Sequence, residues 1–161
     1  DAMDTVGLDR ELADRSIYDL SGGQKRRAAL AGVIVMHPKY LILDEPAAGL
    51  DPAGRDEILL HMKKLQQDSG ITVVLVSHSM EDIARLADYI YVMNAGKVAA
   101  EGTVTEIFRQ DALLQNIGLS VPQITTLWNR LRETMPSLPA DIYTVSDAYN
   151  AILDIKKGGP V

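Results

Sequence analysis

Apolar positions fall into short unbroken runs and helical stripes, with acids and turn residues between them. Residues 1–19 carry Leu8, Leu12 and Ile17 among many acids and read as a short helix and a connector. From Ala28 to Met36 the chain is apolar throughout, which predicts a helix end buried on all sides. His37-Pro38 stops it, because a residue before proline is pushed out of helical backbone. Tyr40-Leu41-Ile42-Leu43 predicts a strand covered on both faces, as in the middle of a parallel sheet. Asp51-Pro52 reads as N-cap and first helical position. Ile58, Leu59, Met62 and Leu65 mark one face of the helix that follows, which runs to about Asp68 with Gly70 as its stop. Ile71 to Val76, rich in β-branched residues, predicts a second buried strand.

Ser79 with Asp82 marks another helix start, with Ile83, Ala84 and Ala87 toward the core. Tyr89 to Met93, a turn at Asn94-Ala95-Gly96, and Lys97 to Ala100 predict a β-hairpin. Thr103 and Glu106 form a capping box that opens a helix through Arg109. The character then changes. A short helical segment spans 110–118, and Val121-Pro122 starts a helix with Ile124, Leu127, Trp128 and Leu131 at helical spacing. That stripe reads as local core rather than a cofactor box. A loop with Pro136 and Pro139 follows, then a helix capped by Ser146 through about Lys156, and a frayed tail at Gly158-Gly159-Pro160. The pattern is α/β, with residues 1–109 as the sheet-bearing part and 110–161 as a helical extension.

Composition narrows the function classes. The chain has 161 residues, of which 47% are apolar and 24% charged, an ordinary globular balance. A net charge of -6 argues against generic nucleic-acid binding, and Lys25-Arg26-Arg27 is too short a basic run to reverse it. There is no cysteine, hence no disulfide framework and no thiolate metal site. The longest apolar run is far short of a membrane span, and no signal peptide is visible. The first residue is Asp1 rather than Met, which allows processing or truncation.

Leu20-Ser21-Gly22-Gly23-Gln24-Lys25-Arg26-Arg27 is the stretch that ordinary folding rules explain least. Ser21 and Gln24 have capping-box spacing. A capped helix and nothing more is the plain reading, but it leaves Gly22 and Gly23 unexplained. Each glycine costs about 1 kcal/mol relative to alanine inside a helix. Two of them at a helix start leave bare N–H groups, as an approaching anion such as phosphate requires. Three cations in the first turns oppose the helix dipole, which suggests a negative partner nearby. Asp44 and Glu45 stand at the C-terminal end of a predicted strand, where open α/β sheets place ligands. A strand surfacing into a polar loop would look the same. If the chain stays extended there, the two side chains point to opposite sides. One carboxylate can then hold Mg²⁺ while the other faces a water. His78 has the same address on the second strand, although a lone histidine is more often structural. Gly49 and Gly54 have the spacing of a phosphate loop, but Arg55-Asp56 replaces its Lys and hydroxyl residue, and Gly96-Lys97 fails for the same kind of reason.

Taken in order, these pieces resemble the ATP-binding cassette (ABC) ATPases. Ser21-Gly22-Gly23-Gln24 after Leu20 resembles their signature motif, and Tyr40 to Asp44 with Glu45 resembles the Walker B segment and catalytic glutamate. Gly49-Leu50-Asp51 resembles the D-loop, and His78 the switch histidine. The run at 21–27, the segment at 54–59 and Gly118-Leu119-Ser120-Val121-Pro122-Gln123 are similar to the A components of energy-coupling-factor importers, which include cobalt-type import ATPases. The resemblance implies an incomplete P-loop-NTPase-like parallel sheet with flanking helices. It implies ATP and Mg²⁺ as cofactors and a head-to-tail ATPase dimer, homomeric or heteromeric. Further partners are a transmembrane coupling subunit and a substrate-binding membrane subunit at the cytoplasmic face of a membrane, without nucleic acid. Within it, Ser21, Gly22, Gly23 and Gln24 contact nucleotide, Asp44 positions Mg²⁺, Glu45 polarises the attacking water, and His78 contacts the γ-phosphate. Gly49, Leu50 and Asp51 lie at the dimer interface.

The phosphate loop and glutamine loop that open the family's domain are not among these residues, and Ala47 replaces the hydroxyl residue common after the Walker B proline. The expectation is a C-terminal part of a longer ATPase that alone neither binds ATP tightly nor hydrolyses it. MgATP turnover by the purified chain, abolished by Glu45→Gln, would overturn this. Unpaired sheet surface should also promote self-association. Alternatives are the ATPase head of a DNA-repair or chromosome-organising protein, and a non-catalytic interaction fragment.

Overall fold

The computed structural model describes residues 2–157, and the tail expected at 158–160 lies outside them. The chain forms two compact units that divide after His78.

The first unit opens with α1 (Ala2–Thr5) and two short 3-10 turns, Arg10–Leu12 and Ile17–Asp19. Helix α2 (Gly22–Ile34) follows, then strand β1 (Tyr40–Asp44), helix α3 (Pro52–Ser69) and strand β2 (Thr72–Val76). β1 and β2 are parallel neighbours, with Leu41 opposite Val73 and Asp44 opposite Val76. A long helix between two parallel strands is the βαβ unit that such pairing requires. α3 forms where expected: Ile58, Leu59, Met62 and Leu65 are its buried face, and Gly70 ends it at φ 64 in left-handed backbone. The core gathers Leu30 and Ala31 of α2, Leu41 of β1 and Leu65 of α3 around Val6 and Leu8.

Two expectations fail in this unit. The strands are covered on one face only: Leu41 is buried, whereas Tyr40 and Ile42 are each 71% exposed and Val74 and Val76 are also exposed. Among the described residues β1 and β2 have only each other as strand neighbours. Nor is the end of α2 buried all round. Leu30 and Ala31 face the core, but Val33, Val35 and Met36 are exposed. The helix stops at Ile34, and His37 turns the chain at φ 47.

The second unit contains α4 (Met80–Leu86), the antiparallel hairpin β3 (Tyr89–Asn94) and β4 (Lys97–Thr103), then α5 (Val104–Phe108), α6 (Asp111–Asn116), α7 (Gln123–Thr134) and α8 (Val145–Lys156). The hairpin turns at Ala95 and Gly96, both with positive φ, as a tight two-residue turn demands. Val92, Ile107, Phe108, Leu114, Val121 and Tyr143 form one core, and Trp128, Leu138, Ile142 and Ala148 another. The indole N–H of Trp128 donates to the Pro139 carbonyl at 2.9 Å. The expected stripe on α7 divides: Ile124 and Trp128 face this core, while Leu127 and Leu131 are exposed. Helix α8 is capped by Thr144 rather than Ser146. Thr144 has extended backbone and exchanges bonds with Asp147, whereas Ser146 is already helical.

Candidate functional site

The first unit carries every residue singled out for chemistry. Ser21 is the N-cap of α2, with its backbone extended at ψ 164. The Gln24 N–H donates to Ser21 Oγ at 3.2 Å, and the Ser21 N–H donates to Gln24 Oε1 at 2.9 Å. The capping box is therefore complete, and Gln24 is occupied in it. Gly22 and Gly23 follow, and their N–H groups are among those a helix leaves without internal acceptors. A Cβ built on Gly22 meets nothing within 4 Å, and one on Gly23 meets Leu50 Cδ2 and Arg27 Nη2 at ordinary contact, 3.8 Å. The local fold does not require a glycine at either position. What the glycines provide is access to the backbone from outside.

The second piece lies at the C-terminal ends of β1 and β2. Asp44 is the last strand residue and is exposed. Glu45 departs from the expected extended chain. Its φ of 44 places it in left-handed backbone, uncommon for a residue with a side chain. Its N–H still donates to the Val76 carbonyl at 2.9 Å, so the ladder continues one step while the chain turns. Its carboxylate Oε1 accepts the backbone N–H of His78 at 2.9 Å and lies 2.6 Å from His78 Nδ1. A carboxylate can only accept here, so Nδ1 carries the proton and Nε2 is left for another group on a ring that is 82% exposed. The His78 ring bond holds the Glu45 carboxyl below the usual carboxylate range, desolvation opposes this, and the His78 backbone N–H adds to it. The pair keeps Glu45 ionised and fixes the imidazole tautomer.

The third piece is the loop from β1 to α3. The Ala48 N–H donates to the Glu45 carbonyl at 3.1 Å and the Leu50 N–H to the Ala47 carbonyl at 3.3 Å, with Gly49 at φ 72 between them. Asp51 caps α3 by backbone position, but its carboxylate makes no capping bond. A Cβ on Gly54 would lie 2.8 Å from Asp51 Oδ1, so Gly54 gives that carboxylate room over the first turn. This is a local steric role, not that of a phosphate loop.

Two of the three cations in the basic run have partners within the chain. Arg27 pairs with Glu57 and donates to the Gly7 carbonyl at 3.3 Å. Arg26 donates to the carbonyls of Pro46, at 3.1 Å, and Ala48. Arg26 was not identified as a site residue by sequence reasoning. Its signal was the unfavourable placement of cations at a helix start, and the partners proved to be backbone carbonyls distant in sequence.

No group of three or more His, Cys, Asp or Glu among the described residues is arranged to hold a metal ion. Asp44 and Glu45 supply hard oxygen donors, of which Glu45 is engaged by His78. That set does not suit a metal held by protein alone, but it fits Mg²⁺, which is usually bound by one or two carboxylates together with substrate phosphates. The open backbone at Gly22 likewise fits a phosphate oxygen.

A helix start with bare N–H groups, an acid pair at the end of a parallel strand and a histidine just beyond its neighbour make up the site, and the chain is similar to the ABC transporter ATPases. The model of that family, described as ABC transporter, matches residues 1–48. The "Energy-coupling factor transporter ATP-binding protein EcfA2" of Caldanaerobacter subterraneus subsp. tengcongensis is 52% identical over 98% of this chain and 55% of its own length. The chain thus spans about half the length of the curated relatives it matches. Among solved structures, cbiO1 from Clostridium perfringens, part of the ABC transporter complex cbiONQ, is similar over 80% of this chain and 51% of its own, with 38% identity and a TM-score of 0.63. The post-hydrolysis dimer of the ATP-binding cassette MJ0796 bound to ADP and Pi covers 64% of this chain and 44% of its own, with 30% identity and a TM-score of 0.57. The expected fold, an α/β arrangement with a parallel sheet and flanking helices, agrees with these neighbours.

Proposed function

We propose that this chain supplies the signature and Walker B part of an ATPase site in an energy-coupling-factor importer. Hydrolysis there drives uptake of a vitamin or a metal ion such as cobalt. The observation that carries the reading is the Glu45–His78 pair at the ends of two parallel strands, in the unit that also presents the bare helix start at Gly22. Each residue has a part suited to its chemistry. The N–H groups of Gly22 and Gly23, with Ser21, bind the terminal phosphate of an ATP whose main cradle lies on a second ATPase subunit. Gln24 secures the cap that orients them. Asp44 holds Mg²⁺ carried by the nucleotide, and the ion supplies charge neutralisation there.

Glu45 is ionised and hydrogen-bonded, so it can accept a proton from a water. His78 keeps its proton on Nδ1 through Glu45 and offers Nε2 toward the phosphate. Gly49, Leu50 and Asp51 form the contact with the second subunit, with the Asp51 carboxylate left by its helix for that use. Residues 1–109 constitute the ATPase part and 110–161 an extension. No helix among the described residues is long and apolar enough to cross a membrane. The transporter names of the relatives support a place for the chain at the cytoplasmic membrane face, held by a transmembrane coupling subunit beside a substrate-binding subunit. The relatives carry transporter names, which favours this reading over a DNA-repair or chromosome-organising head.

The test is ATP turnover by the protein assembled with its ATPase and membrane partners. Glu45→Gln is expected to lower turnover about 10²–10⁴-fold, the usual weight of a general base, with nucleotide still bound. Unchanged turnover would reject the assignment. Salt-dependent DNA binding in the micromolar range or tighter would instead favour the nucleic-acid alternative.

A further inference from the structure

The loop after β1 has to hold a conformation its sequence does not favour. Glu45 is in left-handed backbone, which is strained for a residue with a side chain and persists only where the surroundings over-determine it. Two backbone bonds contribute, Glu45 N–H to the Val76 carbonyl and Ala48 N–H to the Glu45 carbonyl. The third contribution comes from another element. Arg26, in the second turn of α2, donates Nη1 to the carbonyls of Pro46 and Ala48. These lie one and three residues after Glu45, so one charged donor fixes two peptide planes just beyond it. Bonds from a charged donor are the stronger kind, about twice as strong as those from a neutral one. The neighbouring Arg27 has a different task, since it joins α2 to Glu57 and to Gly7.

We infer that Arg26 is a positioning residue: by holding the Pro46 and Ala48 carbonyls it keeps Glu45 in the backbone that delivers its carboxylate to His78, and ties the phosphate-facing helix to that loop. The role of Glu45 in turnover rests on the function proposed above; the clamp itself does not. Arg26 also shows why a cation is kept at a helix start that disfavours it. The dipole cost is offset by bonds to two carbonyls that lie outside α2.

The experiment uses the full 161-residue chain, ¹⁵N-labelled, at a pH where His78 is neutral. Imidazole nitrogen shifts are expected to report the Nδ1-protonated tautomer in the unaltered chain. In Arg26→Ala the pattern moves toward the Nε2-protonated tautomer, and the amides of Ala48 and His78 exchange about tenfold faster or more, as expected for losing a charge-assisted bond. Arg26→Lys, which keeps the charge and a donor, recovers part of both effects, and it carries the test if Arg26→Ala does not fold. Arg27→Ala loses stability but keeps the tautomer. A wild-type tautomer and wild-type exchange in the Arg26 variants would overturn the inference. So would an equal change in Arg27→Ala, since the effect would then be general loosening. A failed clamp with Glu45→Gln still abolishing turnover in the assembled protein rejects only the clamp. An intact clamp with Glu45→Gln turnover unchanged rejects only the proposed function.

Discussion

Helices α2 and α5 begin with the same device and different intentions. Both have a complete capping box, Ser21 with Gln24 in one and Thr103 with Glu106 in the other. In α5 the two positions between cap and partner are Val104 and Thr105, which cover the first turn with side chains. In α2 they are Gly22 and Gly23, which cover nothing. Capping therefore does not need glycine, and the helix start at α2 forgoes intrinsic stability for exposed N–H groups. Those exposed N–H groups are what the function proposed above uses to hold a phosphate.

The largest effect that would break this contrast is on turnover. Gly22→Val in the assembled ATPase is expected to lower ATP turnover by about 10²-fold or more, the weight of a lost backbone donor to developing charge. The isolated chain should still fold, because a Cβ there meets nothing. Equal turnover in Gly22→Val and unaltered protein would mean that the bare backbone has no ligand. Next in size is the cap. Ser21→Ala and Thr103→Ala should each cost about 1 kcal/mol in urea unfolding, within the usual 0.5–2 kcal/mol for losing such a cap. A difference well outside that range between the two would show that the boxes are not equivalent in stability.

Smaller still is the glycine term. Gly22→Ala should raise chain stability by up to about 1 kcal/mol, while Val104→Gly should lower it by a few tenths of a kcal/mol. Loss of stability in Gly22→Ala would show that this fold does need the glycine. The smallest effect concerns pH. The Glu106 carboxyl is held below its ordinary range first by the Thr103 backbone N–H and then by the Thr103 side chain. Its pKa is lower folded than unfolded, so its contribution is present above the unfolded value near 4.5 and is lost as pH falls through the folded one. Gln24 does not titrate, so α2 should keep its amide protection over the same range while α5 loses some. Equal acid sensitivity of the two first turns in hydrogen exchange would contradict this.

The same chemistry separates what could be read along the chain from what could not. Caps, turns and helix ends depend on residues within about four positions of each other. Accordingly Ser21 with Gln24, Thr103 with Glu106, the Asn94–Gly96 turn and the stop at Gly70 were legible. Ser146 was displaced from its expected role by Thr144, which has its capping partner Asp147 three residues on where Ser146 has Tyr149. Burial was less legible. An apolar run such as Tyr40 to Leu43 states that a strand can be covered on both faces, not that anything is there to cover it.

By itself, the sequence determined the order of elements and the residue types at the site: two glycines behind a cap, two acids ending a strand, a histidine ending the next. These follow from local propensity and from chemistry that only a few side chains possess. Tertiary structure alone decided that Glu45 turns into left-handed backbone, that its carboxylate meets a histidine 33 positions away, and that Arg26 spends its charge on two carbonyls more than 20 residues beyond it on average. The physical reason is distance along the chain. A hydrogen bond between groups so far apart exists only once the parallel pairing of β1 and β2 and the packing of α2 have brought them together.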